Sequence, residues 1–541
     1  MRCTFVCMGA ENISIESLSA LLKEHGHETS LAYDQALFDD KNYLSKPGIA
    51  RFFDHKDVVV GQVVQSRPDL VAISVMTPTY TWALDMARRI KRWIDVPIVF
   101  GGIHPTTCAD KVIQEDCVDI VCKGEGDMAM VELCDAMEEG REDLTIQNLW
   151  FKKDGKVIEN PQRTPISNLD ELPRPDKELF APHVPIRHSY LAVTSRGCPY
   201  ACHFCALSYY AEEAKLLGSK RLRERSVTHV IAELKDSLER YDYRWIEFRN
   251  NTFTAKRRWV KEFCEAYKRE IGRPFLAFAH PSTMNEDVAG WMKEAGCYLI
   301  QLGVESYDEW VREHILNRKE TNEDVDRAVD AMDKVGLTYS LDYILGLPRQ
   351  TEEELLKAAQ FFIDRKACRR VSPYMLAYLP KLKMVDIGLK YGHITHADVE
   401  RLESGQHDHY LSAGSVGEDQ KKLRYYKNYK VFFRSIPLIP RPLAQFMLDR
   451  RLFRYLAYLP VDLLLDLIDY AQVLRPRDYL ARTYAKNYIW WFVNRLNPRH
   501  PAFFRNSIRN PRIQAIARAH RLPDRRPTVS APTARLEGRA A

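Results

Sequence analysis

Three cysteines within eight residues are the feature that most constrains what this chain can fold into. Cys198, Cys202 and Cys205 follow a C-x3-C-x2-C spacing, which places three thiolates on one tight loop. Such a loop can hold three irons of a cubane [4Fe-4S] cluster and leave the fourth iron without a protein ligand. A structural zinc site is the alternative, but it normally has four ligands, often as two separated pairs. No second C-x2-C pair exists in the sequence, so the spacing favours a cluster with one open iron.

The same loop resembles the signature of radical S-adenosylmethionine (SAM) enzymes. An aromatic residue, Phe204, precedes the third cysteine as in that family, and residues 189–195 form a plausible strand directly before the loop. The resemblance implies that the open iron binds the amino and carboxylate groups of SAM. It further implies that an electron from the reduced cluster cleaves SAM to a 5'-deoxyadenosyl radical.

Length and composition indicate an intracellular enzyme of more than one domain. The chain has 541 residues, of which 45% are hydrophobic, enough for two or more cores. The nine remaining cysteines are scattered in mostly apolar surroundings, which favours buried reduced thiols over a disulfide framework. The sequence shows neither a signal peptide nor a run of 18 apolar residues, so we expect a cytoplasmic protein.

The first 140 residues alternate strand-like and helix-like segments, the pattern of a parallel α/β sheet. Two of the predicted strands end in glycine runs, Gly101-Gly102 and Gly124-Glu125-Gly126. Glycine lets a bulky ligand approach the backbone, and ligands of open α/β sheets bind at the carboxyl ends of the strands. The sequence therefore predicts a binding sheet over residues 1–140.

This segment resembles the cobalamin-binding domains, with a Rossmann-like (flavodoxin-like) fold, that precede many radical SAM domains. The resemblance implies that six residues contact a corrinoid: Ser74, Gly101, Gly102, Gly124, Glu125 and Gly126. The family's Asp-x-His-x-x-Gly motif is absent after the first strand, where the chain has residues 9–14 instead. We therefore expect no histidine on the lower face of the corrinoid. His104 as a substitute ligand, or a vestigial sheet without corrinoid, stay open.

Residues 141–185 are rich in proline and predict a connector, and residues 186–385 again alternate strands and helices. The second alternating region predicts a partial (β/α) barrel, the radical SAM domain of the resemblance. The resemblance also implies SAM contacts at strand ends, by Asn250, Asn251, Gly303, Glu305, Ser306 and Gly346. Glu305 in a surface ion pair and Gly346 in an ordinary strand exit are the alternatives.

Positive charge is concentrated at the carboxyl end of the chain. The net charge is +6, but residues 421–541 hold 25 Lys and Arg against seven Asp and Glu. Residues 386–522 predict a mainly helical module and residues 523–541 a disordered tail. Leucine and aromatic residues lie beside arginines between positions 441 and 496, which fits a helical cap on the barrel or an amphipathic helix on a membrane surface. No nucleic-acid-binding motif is recognisable, so we expect no nucleic-acid partner.

The resemblance covers residues 1–385 and is closest in domain order to anaerobic magnesium-protoporphyrin monoester cyclase and cobalamin-dependent radical SAM methyltransferases. It implies the cofactors [4Fe-4S] cluster, SAM and cobalamin, with an electron donor such as flavodoxin or ferredoxin. Methylation of an unactivated carbon in a small-molecule or lipid-like substrate is the favoured function. A radical cyclase or rearrangement enzyme without methyl transfer, and a cluster- or corrinoid-based sensor, are the alternatives. The basic module predicts peripheral contact with the inner face of the membrane.

Overall fold

The computed structural model describes residues 1–39, 46–406 and 420–521. Two largely parallel sheets follow one another along the chain, and a helical module closes the described part. This arrangement confirms the predicted α/β class with a helical carboxyl-terminal region. The tail predicted to be disordered, 523–541, lies outside the described residues.

The N-terminal sheet has seven strands in the order β2-β1-β3-β4-β5-β6-β7. Its strands are β1 (Arg2–Met8), β2 (Glu28–Asp34), β3 (Leu70–Ser74), β4 (Ile98–Gly101), β5 (Ile120–Cys122), β6 (Leu149–Lys153) and β7 (Lys156–Glu159). The helices of this domain are α1 (Ile13–Glu24), α2 (Pro47–Ala50), α3 (Lys56–Ser66), α4 (Tyr80–Lys91), α5 (Ile103–Thr107), α6 (Ala109–Val112) and α7 (Asp127–Glu138). The first five strands are parallel, in the flavodoxin-like order whose switch point lies between β1 and β3.

The hairpin β6–β7 extends this sheet into the segment that the sequence indicates as a connector. Asp154 and Gly155 form its turn with positive φ angles of 49° and 72°, and β6 pairs antiparallel with β5. The proline-rich remainder carries a 3-10 helix, Leu169–Glu171, and one short α-helix, α8 (Lys177–Phe180). The first domain is therefore larger than its alternating pattern alone suggests.

The second sheet has six parallel strands in the order β15-β14-β13-β12-β11-β8 and stays open, as predicted for a partial barrel. Its strands are β8 (Tyr190–Ala192), β11 (Ile246–Phe248), β12 (Phe275–Ala279), β13 (Cys297–Glu305), β14 (Tyr339–Leu345) and β15 (Cys368–Met375). A separate antiparallel ribbon pairs β9 (Ser195–Gly197) with β10 (Leu222–Glu224). The helices are α9 (Ala206–Leu216), α10 (Val227–Tyr241), α11 (Arg257–Glu270), α12 (Glu286–Glu294), α13 (Asn322–Val335) and α14 (Glu352–Ile363).

The C-terminal module packs on both preceding domains. Its helices are α15 (Lys383–Lys390), α16 (His396–Glu403), α17 (Gln420–Ser435), α18 (Arg441–Asp449), α19 (Val461–Leu474), α20 (Tyr479–Asn494) and α21 (Pro511–Arg521). A 3-10 helix, Leu452–Tyr458, lies between α18 and α19. Helix α17 packs against the edge strand β15, and α21 packs against α3 of the first domain. Among the described helices, none is long and apolar enough to cross a membrane.

Candidate functional site

The cysteine loop lies between the two strands of the β9–β10 ribbon, where Gly197 ends β9. Gly197 has φ 86°, and a Cβ atom there would be 2.0 Å from the carbonyl oxygen of Arg221. The amide of Cys198 donates to that same oxygen at 3.1 Å. Since only glycine fits this backbone position, the sequence Gly-Cys fixes where the first thiol leaves the ribbon.

The far side of the loop is held by the segment before α13. The amide of Asn317 donates to Ala201 O at 2.8 Å, and His203 donates its backbone N–H to Leu316 O at 3.0 Å. Cys205 is the residue before α9 and donates its N–H to Cys202 O at 3.1 Å. The three cysteines are therefore presented by a loop that is anchored at both ends.

All three cysteines are free thiols, with Cys202 buried and the other two half-buried. Burial raises the pKa of Cys202 to about 12, an effect that the Arg318 guanidinium opposes. Burial likewise raises the pKa of Cys205 to about 11. Because only thiolates bind iron, cluster assembly here must release protons. Within the described ranges, no three His, Cys, Asp or Glu side chains converge on a position for a single metal ion.

A buried ionic group formed by Glu305, Arg318 and Glu320 lies beside the cysteine loop. Arg318 donates Nη2 to Gly303 O at 2.6 Å, and its Nη1 is 3.7 Å from Glu305 Oε1. Glu305 has φ 66° at the end of β13. Burial raises the pKa of Glu305, with Arg318 opposing the shift. The positive φ angle and the largely buried carboxyl are features that accumulate at functional sites.

Asn250 fixes the loop that connects β8 to the ribbon. Its Oδ1 accepts from the Thr194 amide at 3.1 Å, and its Nδ2 donates to the hydroxyls of Thr194 and Ser195 at 2.9 and 2.6 Å. Asn251 instead is exposed, with Nδ2 3.4 Å from Gly197 O. The side-chain amide of Asn250 is thus hydrogen-bonded within the domain, whereas that of Asn251 is exposed.

Two arginines of the second domain bind the turn that follows β5 of the first. Arg196 forms two hydrogen bonds to Asp127, at 2.8 and 3.0 Å, and a third to Glu125 at 3.3 Å. Arg223 from β10 donates Nη1 to Glu125 Oε2 at 3.1 Å. Arg196 stands two positions before Cys198, so this ionic clamp joins the glycine turn of the first domain to the cysteine loop.

A cavity of about 470 Å³ lies at this junction. All six residues predicted to contact a corrinoid line it: Ser74, Gly101, Gly102, Gly124, Glu125 and Gly126. Gly197 and Asn251 line it from the second domain, as do Ala211 and Ala214 of α9. The volume is in the range of small-molecule sites. The carboxyl-terminal edge of the first sheet and the residues that flank the cysteine loop, Gly197 before it and Leu207 after it, therefore share one cavity, whereas the cysteines themselves are not part of its lining.

Comparison with known protein families gives two matches. Residues 9–134 match the B12 binding domain, and residues 192–362 match the radical SAM superfamily. The chain therefore holds a B12-binding domain followed by a radical SAM domain. The resemblance stated from the cysteine motif and the glycine turns is thereby confirmed.

Two curated relatives illustrate the range of this enzyme group. An uncharacterized methyltransferase of Pyrococcus horikoshii is 34% identical over 303 residues, which are 54% of this chain and 64% of the relative. The anaerobic magnesium-protoporphyrin IX monomethyl ester cyclase of Rubrivivax gelatinosus is 26% identical over 320 residues, 56% of this chain and 55% of the relative. The matched region thus spans about half to two thirds of these relatives.

Two solved structures share the fold of this chain. The methyltransferase TsrM from Kitasatospora setae, with cobalamin and a [4Fe-4S] cluster bound, has a TM-score of 0.57 at 17% identity and covers 72% of this chain and 75% of its own. The radical enzyme OxsB, with aqua-cobalamin and SAM bound, has a TM-score of 0.62 at 14% identity and covers 96% of this chain and 84% of its own. At such identities the likeness shows the fold alone.

The remaining predicted SAM contacts lie at strand ends of the radical SAM domain, where their polar groups already have protein partners. Ser306 is buried and donates its hydroxyl to Glu354 at 2.9 Å. The N–H of Gly346, with φ 84°, donates to Gln350 Oε1 at 2.8 Å. At Gly303, a Cβ atom would lie 2.7 Å from Glu305 Oε1. Contact between these residues and SAM stays a prediction.

Sequence reasoning missed Arg196 and Arg223, which bind the turn after β5, and Arg318, which contacts Gly303 and Glu305. Arg196 and Asp127 are 69 positions apart, so no local pattern connects them. The sequence offers one signal for this contact, the charged residue Arg196 directly before the Gly197-Cys198 pair. His104, the substitute corrinoid ligand, is fully buried against Tyr80, with ring centroids 4.2 Å apart, and does not line the cavity.

Proposed function

We propose that this protein is a cobalamin-dependent radical SAM methyltransferase that methylates an unactivated carbon. The cavity that the B12-binding domain shares with the residues flanking the cysteine loop carries this proposal. Methyl transfer of this kind needs a corrinoid, SAM and substrate at one place, and residues of both domains line one cavity here. The presence of methyltransferases among the relatives supports the same reading.

The residues present fit the proposed cofactors. Three thiols on one anchored loop are the donor set for a [4Fe-4S] cluster with an open iron. The strand-end glycines leave bare backbone toward the cavity on the side of the B12-binding domain. When bound, the cluster supplies the electron that cleaves SAM, and the corrinoid carries the methyl group.

In this proposal the chain's own residues bind the cofactors, orient them and shield the site. Cys198, Cys202 and Cys205 hold the cluster, and Glu305 presents a carboxylate to the amino or ribose groups of SAM. Arg318 holds that carboxylate from behind through its contacts with Gly303 and Glu305. The clamp between Arg196 and Asp127 holds the cysteine loop beside the first domain. The residues that would bind the cluster therefore stay next to those that would contact the corrinoid.

The test is anaerobic incubation of reconstituted protein with SAM, a reductant and cell extract. We expect 5'-deoxyadenosine, S-adenosylhomocysteine and a metabolite that gains one methyl group. 5'-Deoxyadenosine without S-adenosylhomocysteine would favour the cyclase or rearrangement alternative, and no SAM cleavage with bound cobalamin would favour a sensor. A flavodoxin or ferredoxin should replace the chemical reductant.

The cluster assignment has its own control. Replacing Cys198, Cys202 and Cys205 together by Ala should remove the brown absorbance and SAM cleavage. Cys264→Ala changes a buried thiol in the core of the same domain and should retain about four irons per chain. Equal iron in the two proteins would refute the assignment.

A further inference from the structure

The C-terminal module exposes a large amount of apolar surface. Twenty large hydrophobic side chains are exposed among the described residues, and 15 of them lie between Leu443 and Phe504. Single exposed apolar residues are common on soluble proteins, but a concentration of them marks an interaction surface. This part of the chain therefore presents an apolar surface that the rest of the described residues leave exposed.

The exposed residues follow helical spacing on three successive elements. The stripes are Leu452, Tyr455 and Tyr458 on the 3-10 helix, Leu463, Leu467, Tyr470 and Leu474 on α19, and Ile489, Phe492 and Val493 on α20 with Leu496 in the turn that follows it. A spacing of three in a 3-10 helix, or three and four in an α-helix, puts each stripe on one face. Tyr458 is 73% exposed and Leu496 is 70% exposed.

The opposite faces of these elements are packed on the protein, so their orientation is determined. Trp491 of α20 donates its indole N–H to His183 O at 3.0 Å. Thr483 of the same helix accepts from the Trp245 indole at 2.9 Å. Phe453 stacks on Phe432 of α17 with ring centroids 5.0 Å apart. The outward stripes are therefore a second apolar face, in addition to the one that anchors the module.

Positive charge accompanies the stripes. Residues 441–509 contain 12 Lys and Arg against five Asp. Three of those acids have cationic partners inside the protein: Asp466 pairs with Lys46, Asp469 with Arg434, and Asp478 with Arg370. Exposed arginines flank the stripes at Arg450, Arg477, Arg482, Arg499 and Arg505. The field above this surface thus attracts anions.

We propose that these three stripes and five arginines, the basic apolar face, dock the enzyme on an anionic lipid bilayer. Leucine and aromatic side chains beside arginine are the composition of helices that lie in the membrane interface. Tyrosine side chains prefer the headgroup level of the bilayer, where the ring contacts apolar groups and the hydroxyl contacts water. Arginines pair with lipid phosphates through bidentate hydrogen bonds. The charge surplus is what selects an anionic bilayer over an uncharged one.

The basic apolar face and the cavity have no residue in common. Helix α20 begins at the amino-terminal ends of the barrel strands, where Thr483 contacts Trp245 just before β11. The cavity lies at the carboxyl-terminal edge of those strands, where Asn251 follows β11. Docking through this face therefore uses none of the residues that line the cavity, and the inference is independent of which reaction the site performs.

The test is co-sedimentation of the full-length protein with liposomes of phosphatidylcholine alone or mixed with phosphatidylglycerol. We expect sedimentation with the anionic liposomes at low salt and release at high salt. One variant carries Leu463→Ser, Leu467→Ser, Ile489→Ser and Leu496→Ser, and a second carries Arg450→Glu, Arg499→Glu and Arg505→Glu. Each should lower partitioning at least about tenfold.

Matched controls place the same changes elsewhere on the surface. Leu216→Ser alters an exposed leucine of α9, and Lys156→Glu, Arg258→Glu and Lys334→Glu reverse three exposed charges of the other domains; neither control should change partitioning. Circular dichroism checks that all variants are folded. Wild-type protein that stays in the supernatant with anionic liposomes overturns the proposal. So does a wild-type dimer in light scattering that the apolar variant converts to a monomer, because the face would then bind a second copy.

Discussion

At the residue scale, Gly197 and Gly218 bracket the segment that carries the cysteines and α9. Both have positive φ angles, 86° and 70°. A Cβ atom at Gly197 would be 2.0 Å from the carbonyl oxygen of Arg221, whereas a Cβ atom at Gly218 would have no neighbour within 4 Å. A substitution at Gly218 therefore tests backbone strain alone, whereas a substitution at Gly197 adds a steric clash at the cysteine loop.

Gly197→Ala should displace Cys198 and lower both iron content and stability. We expect a loss of about 2–4 kcal/mol in the free energy of unfolding, because the clash adds to the cost of a positive φ. Gly218→Ala should cost about 1 kcal/mol and keep the cluster. Iron analysis after anaerobic reconstitution and urea unfolding measure the two effects. Equal iron contents would show that the ribbon does not set the position of Cys198.

His104 provides a residue-scale test of the corrinoid prediction. Its ring is buried against Tyr80, and Nδ1 is 3.2 Å from Thr77 Oγ1, away from the cavity lining. Bound cob(II)alamin should therefore show no nitrogen superhyperfine splitting from a protein imidazole in its paramagnetic resonance spectrum. The spectrum of His104→Ala should be the same as that of the wild type. Nitrogen splitting that disappears in this variant would make His104 the lower ligand.

At the scale of elements, the C-terminal segment docks on α3 through a glycine. A Cβ atom at Gly61 would lie 1.8 Å from Asn506 O, and Ile508 donates its N–H to Asp57 O at 2.8 Å. Gly61→Ala should therefore expel residues 506–521 from α3. At Gly290, also inside a helix, a Cβ atom would have no neighbour within 4 Å, and Gly290→Ala should stabilise by up to about 1 kcal/mol.

Limited proteolysis distinguishes these two variants. Gly61→Ala should expose the arginine-rich C-terminal segment to trypsin many times faster than in the wild type, since a detached segment is cleaved at its open sites. Gly290→Ala should be cleaved at the wild-type rate. Equal cleavage of the two variants would mean that the segment tolerates a methyl group at Gly61.

Buried histidines near the same interface make the stability of the fold depend on pH. Burial, with the charge of Arg495, lowers the pKa of His55 to about 3, and burial lowers the pKa of His183 to about 3. An unfolded histidine has a pKa of about 6.5, so the unfolded chain binds more protons below that pH. Their contribution to stability is complete above pH 6.5 and is lost as the pH falls toward 3.

Between pH 7 and pH 5, His55 and His183 together should account for a loss of about 2–4 kcal/mol. Urea unfolding at both values measures it. His55→Gln should reduce the difference between the two pH values, whereas His25→Gln, at an exposed position, should leave it unchanged. An identical difference in wild type and His55→Gln would contradict the assignment.

Elements with local patterns could be predicted from the sequence, and long-range contacts could not. The strands that the glycine runs predict are found: β4 ends at Gly101 and β5 ends two residues before Gly124, because flanking glycines are local signals. The six corrinoid-contact residues that line the cavity came from the family resemblance, in agreement with the rule that ligands bind at the carboxyl ends of parallel strands. The partners of Glu125, which are 71 and 98 positions away, required the folded chain.

At the scale of the whole molecule, one junction joins the two α/β domains. The ionic clamp of Arg196 and Arg223 with Glu125 and Asp127 brings the B12-binding domain to the radical SAM domain, and α9 forms the wall of the resulting cavity. The C-terminal module contacts both domains and carries the basic apolar face on its outside. The proposed catalytic cavity and the proposed membrane-docking face thus lie on separate surfaces of the molecule.

Binding of hydroxocobalamin to reconstituted protein tests the central claim, that the radical SAM domain forms one wall of the corrinoid site. Ala211→Trp fills the cavity from α9 and changes nothing in the B12-binding domain, while Leu216→Trp places the same ring on an exposed position of the same helix. We expect Ala211→Trp to weaken binding by at least about tenfold, the loss of about 1.4 kcal/mol, with the cluster retained and Leu216→Trp unaffected. Wild-type affinity in Ala211→Trp would contradict the shared cavity.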